Sequence, residues 1–105
     1  MAFWDDLRGL DLAQFRPGVR SRAELGQGLV MACLEIGPGQ AGEGHEHPFE
    51  QCGVLLSGRI EMFIGDEQRL LTPGEAYFIP AGARHGWRTF EEQARLLDVC
   101  AKPAS

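Results

Sequence analysis

The chain has 105 residues, with 10 basic and 15 acidic side chains, a formal net charge of −5 and 44% hydrophobic residues. That length bounds it to one domain with one modest core, burying roughly 60–65% of the unfolded chain's surface. The interspersed acidic excess argues against nucleic acid, which calls for a basic face, and no apolar run approaches the ~18 residues of a membrane span.

The N-terminus, MAFWDDLRGLDL, is acidic and lacks the basic start and apolar core of a signal peptide. Residues 1–16 alternate poorly and read as an N-terminal segment, a short helix or an edge piece, that packs on a barrel domain spanning 17–105. From there, strand-like runs separated by turn signals recur about every 8–12 residues. The predicted runs are Val19–Leu25, Leu29–Ile36, His47–Leu56, Arg59–Gly65, Gln68–Leu71, Glu75–Ile79, His85–Phe90 and Ala94–Ala101. Gly37-Pro38-Gly39 separates the second run from the third, and Ser57-Gly58 and Gly65-Asp66-Glu67 read as hairpin turns. Pro73-Gly74 opens a strand, Pro80-Ala81-Gly82 closes it, and Lys102 to Ser105 reads as a frayed tail. Many short strands with Gly/Pro turns imply an all-β sandwich or barrel. Three cysteines, Cys33, Cys52 and Cys100, form no C-x-x-C pair and read as free thiols of a cytoplasmic protein.

All three histidines fall into one spacing scheme: Gly39-x5-His45-x-His47-x3-Gln51-x6-Gly58, then Gly74-x5-Pro80-x-Gly82-x2-His85. On an extended strand, residues two apart point to one face, so His45 and His47 project together, and Gln51 keeps that parity if the strand runs straight. Glu50 has the opposite parity and points away. On a helix the two rings would lie about 200° apart and could not share a metal. His85 must then arrive from another strand. Imidazole nitrogens with an amide oxygen suit one divalent transition metal, with Ni, Fe, Mn, Zn, Co and Cu all admitted. The plainer readings are a metal-free barrel whose histidines pack or bind a ligand, and a hydrogen-bonding Gln51 with Glu50 as ligand after a bulge.

These two blocks resemble the paired motifs of the cupin family, G-x5-H-x-H-x3,4-E-x6-G and G-x5-P-x-G-x2-H-x3-N, across residues 39–89. Every glycine, proline and histidine matches. Gln51 stands where the acid usually stands, and Thr89 stands at the final Asn position. The resemblance implies a double-stranded β-helix jelly roll, a metal held by His45, His47, Gln51 and His85, and a homodimer. It is specific for the fold and much less so for the reaction.

The glutamine has a chemical consequence. Three neutral imidazoles and a neutral amide leave a divalent ion's charge unneutralised. Such a site is a stronger Lewis acid and favours a small anionic, chelating oxygen substrate. Trp87 and Thr89 share the strand face of His85 and could wall the substrate pocket, although packing accounts for Trp87 equally well. Arg59 and Arg84 read as surface arginines or as contacts to the anion, and Cys33 and Cys52 as core residues.

A closer resemblance is to the small cupins of pectin and alginate breakdown, which convert unsaturated uronates into linear ketouronates. The stretches that carry it are HEHPFEQCGVLLSGRIEMFIGDEQ, PGEAYFIPAGARHGW and LLDVCAKP. It implies a proton-transfer role for Asp98. Cys100 stands where that group usually has an aromatic residue and is expected to bind substrate with Trp87 and Thr89, and the basic residue expected soon after is absent unless Lys102 replaces it. Isomerase or lyase chemistry by metal Lewis-acid catalysis is the leading reading. A metal-dependent dioxygenase and a non-catalytic small-molecule or sugar sensor are the alternatives.

Overall fold

The computed structural model describes residues 3–102. Among the described residues, a single 3-10 turn at Leu7–Gly9 precedes ten strands. They are β1 (Ala13–Arg16), β2 (Val19–Leu25), β3 (Leu29–Ile36), β4 (Ala41–His45), β5 (Gln51–Ser57), β6 (Ile60–Ile64), β7 (Glu67–Leu71), β8 (Ala76–Ile79), β9 (His85–Arg88) and β10 (Ala94–Ala101). They form a six-stranded sheet in the order β1-β2-β3-β10-β5-β8 and a four-stranded sheet in the order β4-β9-β6-β7. The all-β chain is a jelly roll of two antiparallel sheets. Its core draws Val19, Ile36, Leu55, Ile79 and Leu96 from the first sheet and Ile60, Met62 and Leu71 from the second. Among the described residues, no helix is long and apolar enough to cross a membrane. Of the expected frayed tail, 103–105 lie outside the described residues.

One prediction is corrected in a way that matters for the site. The run expected at His47–Leu56 begins only at Gln51, and an unpredicted strand, β4, precedes it. Pro48 cannot donate to a ladder, so the chain leaves the four-stranded sheet after His45 and joins the six-stranded one at Gln51. The straight-strand parity argument therefore fails for His47, which lies on the crossover. β4 escaped prediction because its AGEGH sequence is glycine-rich, and glycine ordinarily weakens strands. Here the missing side chains make room: a Cβ at Gly42 would meet the Trp87 indole, and one at Gly44 the Arg84 guanidinium.

The N-terminal segment is tied to the six-stranded sheet. From Ala13 it contributes the edge strand β1, paired with β2. Upstream, Arg95 donates from Nη1 to the Leu7 and Leu10 carbonyls at 2.8 and 3.0 Å, and from Nε and Nη2 to Glu35 Oε1 at 3.2 and 2.8 Å. Both charged side chains are buried, which is tolerable because they are paired and hydrogen-bonded. The β5–β6 turn needs Gly58: its φ is +80°, and a Cβ there would collide with the Gln93 carbonyl oxygen.

Candidate metal centre

His45, the last residue of β4, is paired directly with His85, the first of β9. The crossover brings His47 beside them. One ring nitrogen from each histidine can be chosen so that all three lie within 4.8 Å of one another. Ring centroids are 4.3 Å apart for His45–His85, 4.9 Å for His47–His85 and 5.7 Å for His45–His47.

The backbone fixes which nitrogen each ring presents. The Nδ1 atoms of His45, His47 and His85 face the carbonyls of Glu43, Phe49 and Ala83 at 3.3, 3.0 and 3.0 Å. A carbonyl only accepts, so each Nδ1 carries the proton and each Nε2 keeps its lone pair for a ligand. Phe49 also stacks on His47 at 3.9 Å, which holds the ring in place. Burial lowers the pKa of His85, keeping it in the neutral form a metal requires. Its Nε2 is buried with no hydrogen-bond partner among the described residues.

Gln51 completes the set. Its Nε2 donates to Asp98 Oδ2 at 2.8 Å, which turns its Oε1 toward His47 Nε2 at 3.0 Å. Two acceptors thus face each other. A proton on His47 or a shared cation would reconcile them. Two ligands at right angles, each about 2.1 Å from an ion, lie about 3.0 Å apart, so the spacing fits adjacent ligands of one metal. The three histidine nitrogens, within 4.8 Å of one another, would draw closer together to share that ion. The donor set, three Nε2 lone pairs and an amide oxygen, fits a divalent transition metal. Glu50, the alternative ligand, is exposed and stands outside the cluster.

Behind Gln51 stands a polar pair in the core. Asp98 on β10 and Tyr77 on β8 flank Gly53 of β5 in one row across three strands. A side chain at Gly53 would run into the Tyr77 ring; its absence lets the Tyr77 hydroxyl donate to Asp98 Oδ2. Burial pushes the Asp98 carboxyl above its usual range, against the opposing pull of the Tyr77 and Gln51 hydrogen bonds. Burial, reinforced by the Asp98 charge, raises the Tyr77 phenol far above its ordinary value. Both hydrogen bonds to Asp98 end on Oδ2, leaving Oδ1 without one among the described residues.

A cavity of about 60 Å³ joins these groups. His45, His85, Gln51, Tyr77 and Asp98 supply its polar side, and Leu34, Ile36, Met62, Ile79, Leu96 and Trp87 its apolar floor. Trp87 therefore lines the cavity as well as packing across Gly42. Thr89 does not line it, which corrects the expectation for that residue. It lies past the end of β9, donates its hydroxyl to the Gly37 carbonyl at 2.6 Å and accepts from the Gln40 amide at 2.9 Å, closing the 37–40 loop. Cys100 is the register partner of Gln51 but is outside the cavity lining, and burial raises its thiol pKa. Cys33 is fully buried. Cys52, expected in the core, is half-buried and lines a surface cleft with Val54 and Phe78. Arg59 and Arg84 are both exposed and outside the cavity lining. Sequence reasoning missed Tyr77 and Phe49. The signal for Tyr77 was present: it is the only tyrosine and shares parity with Ile79 on a predicted strand.

Comparison with known proteins places this site in context. Residues 32–100 match the family described as "Cupin domain". The chain is 32% identical over 72 residues to the pectin degradation protein KdgF of Dickeya dadantii, a match covering 68% of this chain and 66% of that protein. It is 31% identical over 97 residues to quercetin 2,3-dioxygenase of Bacillus subtilis, covering 91% of this chain and 28% of that protein. The chain thus spans less than two thirds of the length of these curated relatives. The structure of KdgF from a Halomonas species superposes with a TM-score of 0.81 at 24% identity, covering 93% of this chain and 91% of that one.

Proposed function

The chain belongs to the cupin family, and on that premise we propose that it is a metal-dependent enzyme of isomerase or lyase type. Its substrate would be a small anionic oxygenated molecule such as an unsaturated uronate or a keto acid. The observation that carries this reading is the juxtaposition of a neutral four-ligand set with a buried carboxylate, Asp98, that retains one oxygen free of hydrogen bonds. Similarity to a pectin degradation protein supports the substrate class.

His45, His47, Gln51 and His85 would hold the metal. When bound, the ion supplies Lewis acidity to a chelating substrate oxygen pair. The cavity of about 60 Å³ takes a few water-sized groups, so it admits the chelating end of a substrate and leaves the rest at the mouth, beside the exposed His45. The apolar floor excludes water from that end. Asp98 Oδ1 takes a proton from a substrate hydroxyl and returns it to carbon, completing an isomerisation with no net redox change. The raised pKa of Asp98 suits it to both halves of that transfer. Tyr77 and Gln51 hold the other oxygen so that Oδ1 stays directed at the substrate.

The test is turnover of an unsaturated uronate, followed as loss of its alkene absorbance, by protein loaded in turn with each candidate metal. Asp98→Asn should keep the metal and lose turnover. An Asp98→Asn variant with full turnover would remove that residue from the mechanism. A second reading, a metal-dependent dioxygenase, is favoured by the similarity to quercetin 2,3-dioxygenase, and oxygen uptake by the iron-loaded protein on an enol substrate discriminates it.

We propose a cytoplasmic location, a reading that the scattered, odd number of cysteines supports, and a homodimer. The outer face of the larger sheet carries an apolar cleft of about 380 Å³ that includes Val54, Phe78, Leu97 and Val99, with Phe78 56% exposed. Light scattering should give a dimer that Phe78→Glu dissociates.

A further inference from the structure

A glutamine ligand has two ends of nearly equal size, and only the oxygen can bind a metal. The local chemistry at His47 favours the wrong end. With its proton on Nδ1, His47 offers an Nε2 lone pair, which would pair with the Gln51 amide nitrogen more readily than with the oxygen it faces. The competing acceptor is Asp98. A carboxylate accepts a hydrogen bond roughly twice as strong as a neutral acceptor does, and Gln51 Nε2 goes to it at 2.8 Å. Asp98 can win that competition only while Oδ2 points at Gln51 and remains an acceptor. The Tyr77 hydroxyl donates to this same atom. Tyr77 is itself fixed: its ring is buried in the core, and it sits across Gly53, in register, where no side chain intervenes.

From this arrangement we propose that Tyr77 is a positioning residue: with Asp98 it fixes the Gln51 amide so that its oxygen faces the three imidazoles. The inference rests on the metal-binding reading above and concerns how the site is set before any substrate arrives. Asp98 then serves on both sides, with Oδ2 orienting a ligand and Oδ1 free for substrate.

The experiment is a cobalt(II) titration of the metal-free full-length protein, followed by its visible d–d absorption. Four proteins are compared: wild type, Tyr77→Phe, Gln51→Glu and the double variant. Phenylalanine keeps the ring in the core and removes only the hydroxyl. A glutamate ligand has oxygen at both ends, so its orientation needs no help. The expected result is that Tyr77→Phe, which acts on Gln51 through Asp98, weakens cobalt binding about 10-fold in the glutamine background, the low end of the loss caused by removing a direct outer partner of a ligand, and shifts the d–d bands. In the Gln51→Glu background the same change should move the affinity less than about 3-fold. Unchanged affinity and bands in Tyr77→Phe would overturn the proposal, as would an equal loss in both backgrounds, which would mark a packing role. A wild-type protein that takes up no cobalt would instead overturn the metal-binding reading and this inference with it.

Discussion

Replacing Gln51 by glutamate probes the site's internal electrostatics most directly. The amide nitrogen now donates to Asp98 Oδ2 across 2.8 Å; the variant puts a second carboxyl there. Two unit charges at that separation repel by about 6 kcal/mol at an effective dielectric of about 20. Retaining a proton on a carboxyl with an ordinary pKa near 4.3 costs about 4 kcal/mol at pH 7.5. The smaller cost prevails, so the metal-free variant keeps a proton between the two carboxyls and is about 4 kcal/mol less stable than wild type at pH 7.5. The sign follows from linkage. The folded variant holds a proton that the unfolded chain releases, so its stability is lost as pH rises, by about 1.4 kcal/mol per unit between pH 7 and 8.5. Urea unfolding in the presence of a chelator measures this. Gln51→Glu/Asp98→Asn restores a donor opposite a carboxylate and should return to within about 1 kcal/mol of wild type. A Gln51→Glu protein as stable as wild type at pH 7.5, or a deficit that does not widen with pH, would refute the argument.

Three other outcomes are expected. Arg95→Met leaves Glu35 buried with only the 3.3 Å hydrogen bond from Gln93 and the 3.5 Å contact to the half-exposed Arg20, and removes the donor from the Leu7 and Leu10 carbonyls; urea unfolding should show a loss of about 3–5 kcal/mol, and limited proteolysis should cut earlier around residues 7–10. Gly58→Ala combines a φ of +80° with a collision against the Gln93 carbonyl, and its unfolding midpoint should report a loss of about 2–3 kcal/mol; a neutral result would mean the turn can rearrange. Because burial depresses the pKa of His85, the stability tied to its neutral form is present above about pH 6.5 and is lost as pH falls toward the depressed folded value. Metal-free wild type should therefore lose stability relative to His85→Gln only below about pH 6.5, as read by urea midpoints across pH.

Much of this was legible in the sequence because the informative residues are local. The Gly58, Pro80 and Gly82 signals mark turns by backbone chemistry alone, and the mostly apolar runs Leu29–Ile36 and Ala94–Ala101, bounded by turn residues, mark strands inside the sheet. The grouping of the histidines with Gln51 was legible from spacing. How they come together was not. Spacing assumed a straight strand, and the chain instead crosses between sheets at Pro48, so His47 reaches the cluster from the crossover. β4 was invisible because its glycines owe their presence to Trp87 and Arg84, which are remote in sequence. Thr89 misled because strand parity was carried one residue past the end of β9. Tyr77 was missed because its role depends on Gly53 and Asp98, each on a different neighbouring strand.

The glutamine in place of an acid reads differently once its neighbour is known. From sequence, a neutral ligand set leaves the full charge of a divalent ion uncompensated. In the folded chain a negative charge is retained and displaced: Asp98, 6% exposed, sits one hydrogen bond behind the Gln51 amide. A glutamate ligand would neutralise the ion through a direct bond and deplete its pull on substrate. A carboxylate acting through an amide polarises the ligating oxygen, offsets part of the ion's charge at longer range, and keeps its own second oxygen available for a proton. On the function proposed above, such a site would attract an anionic substrate more strongly than a carboxylate-ligated one and still hold a base beside it. That combination suits chemistry that moves a proton on a bound acid. It also explains why the core tolerates an otherwise costly buried aspartate, since Tyr77 and Gln51 satisfy one oxygen and substrate would engage the other.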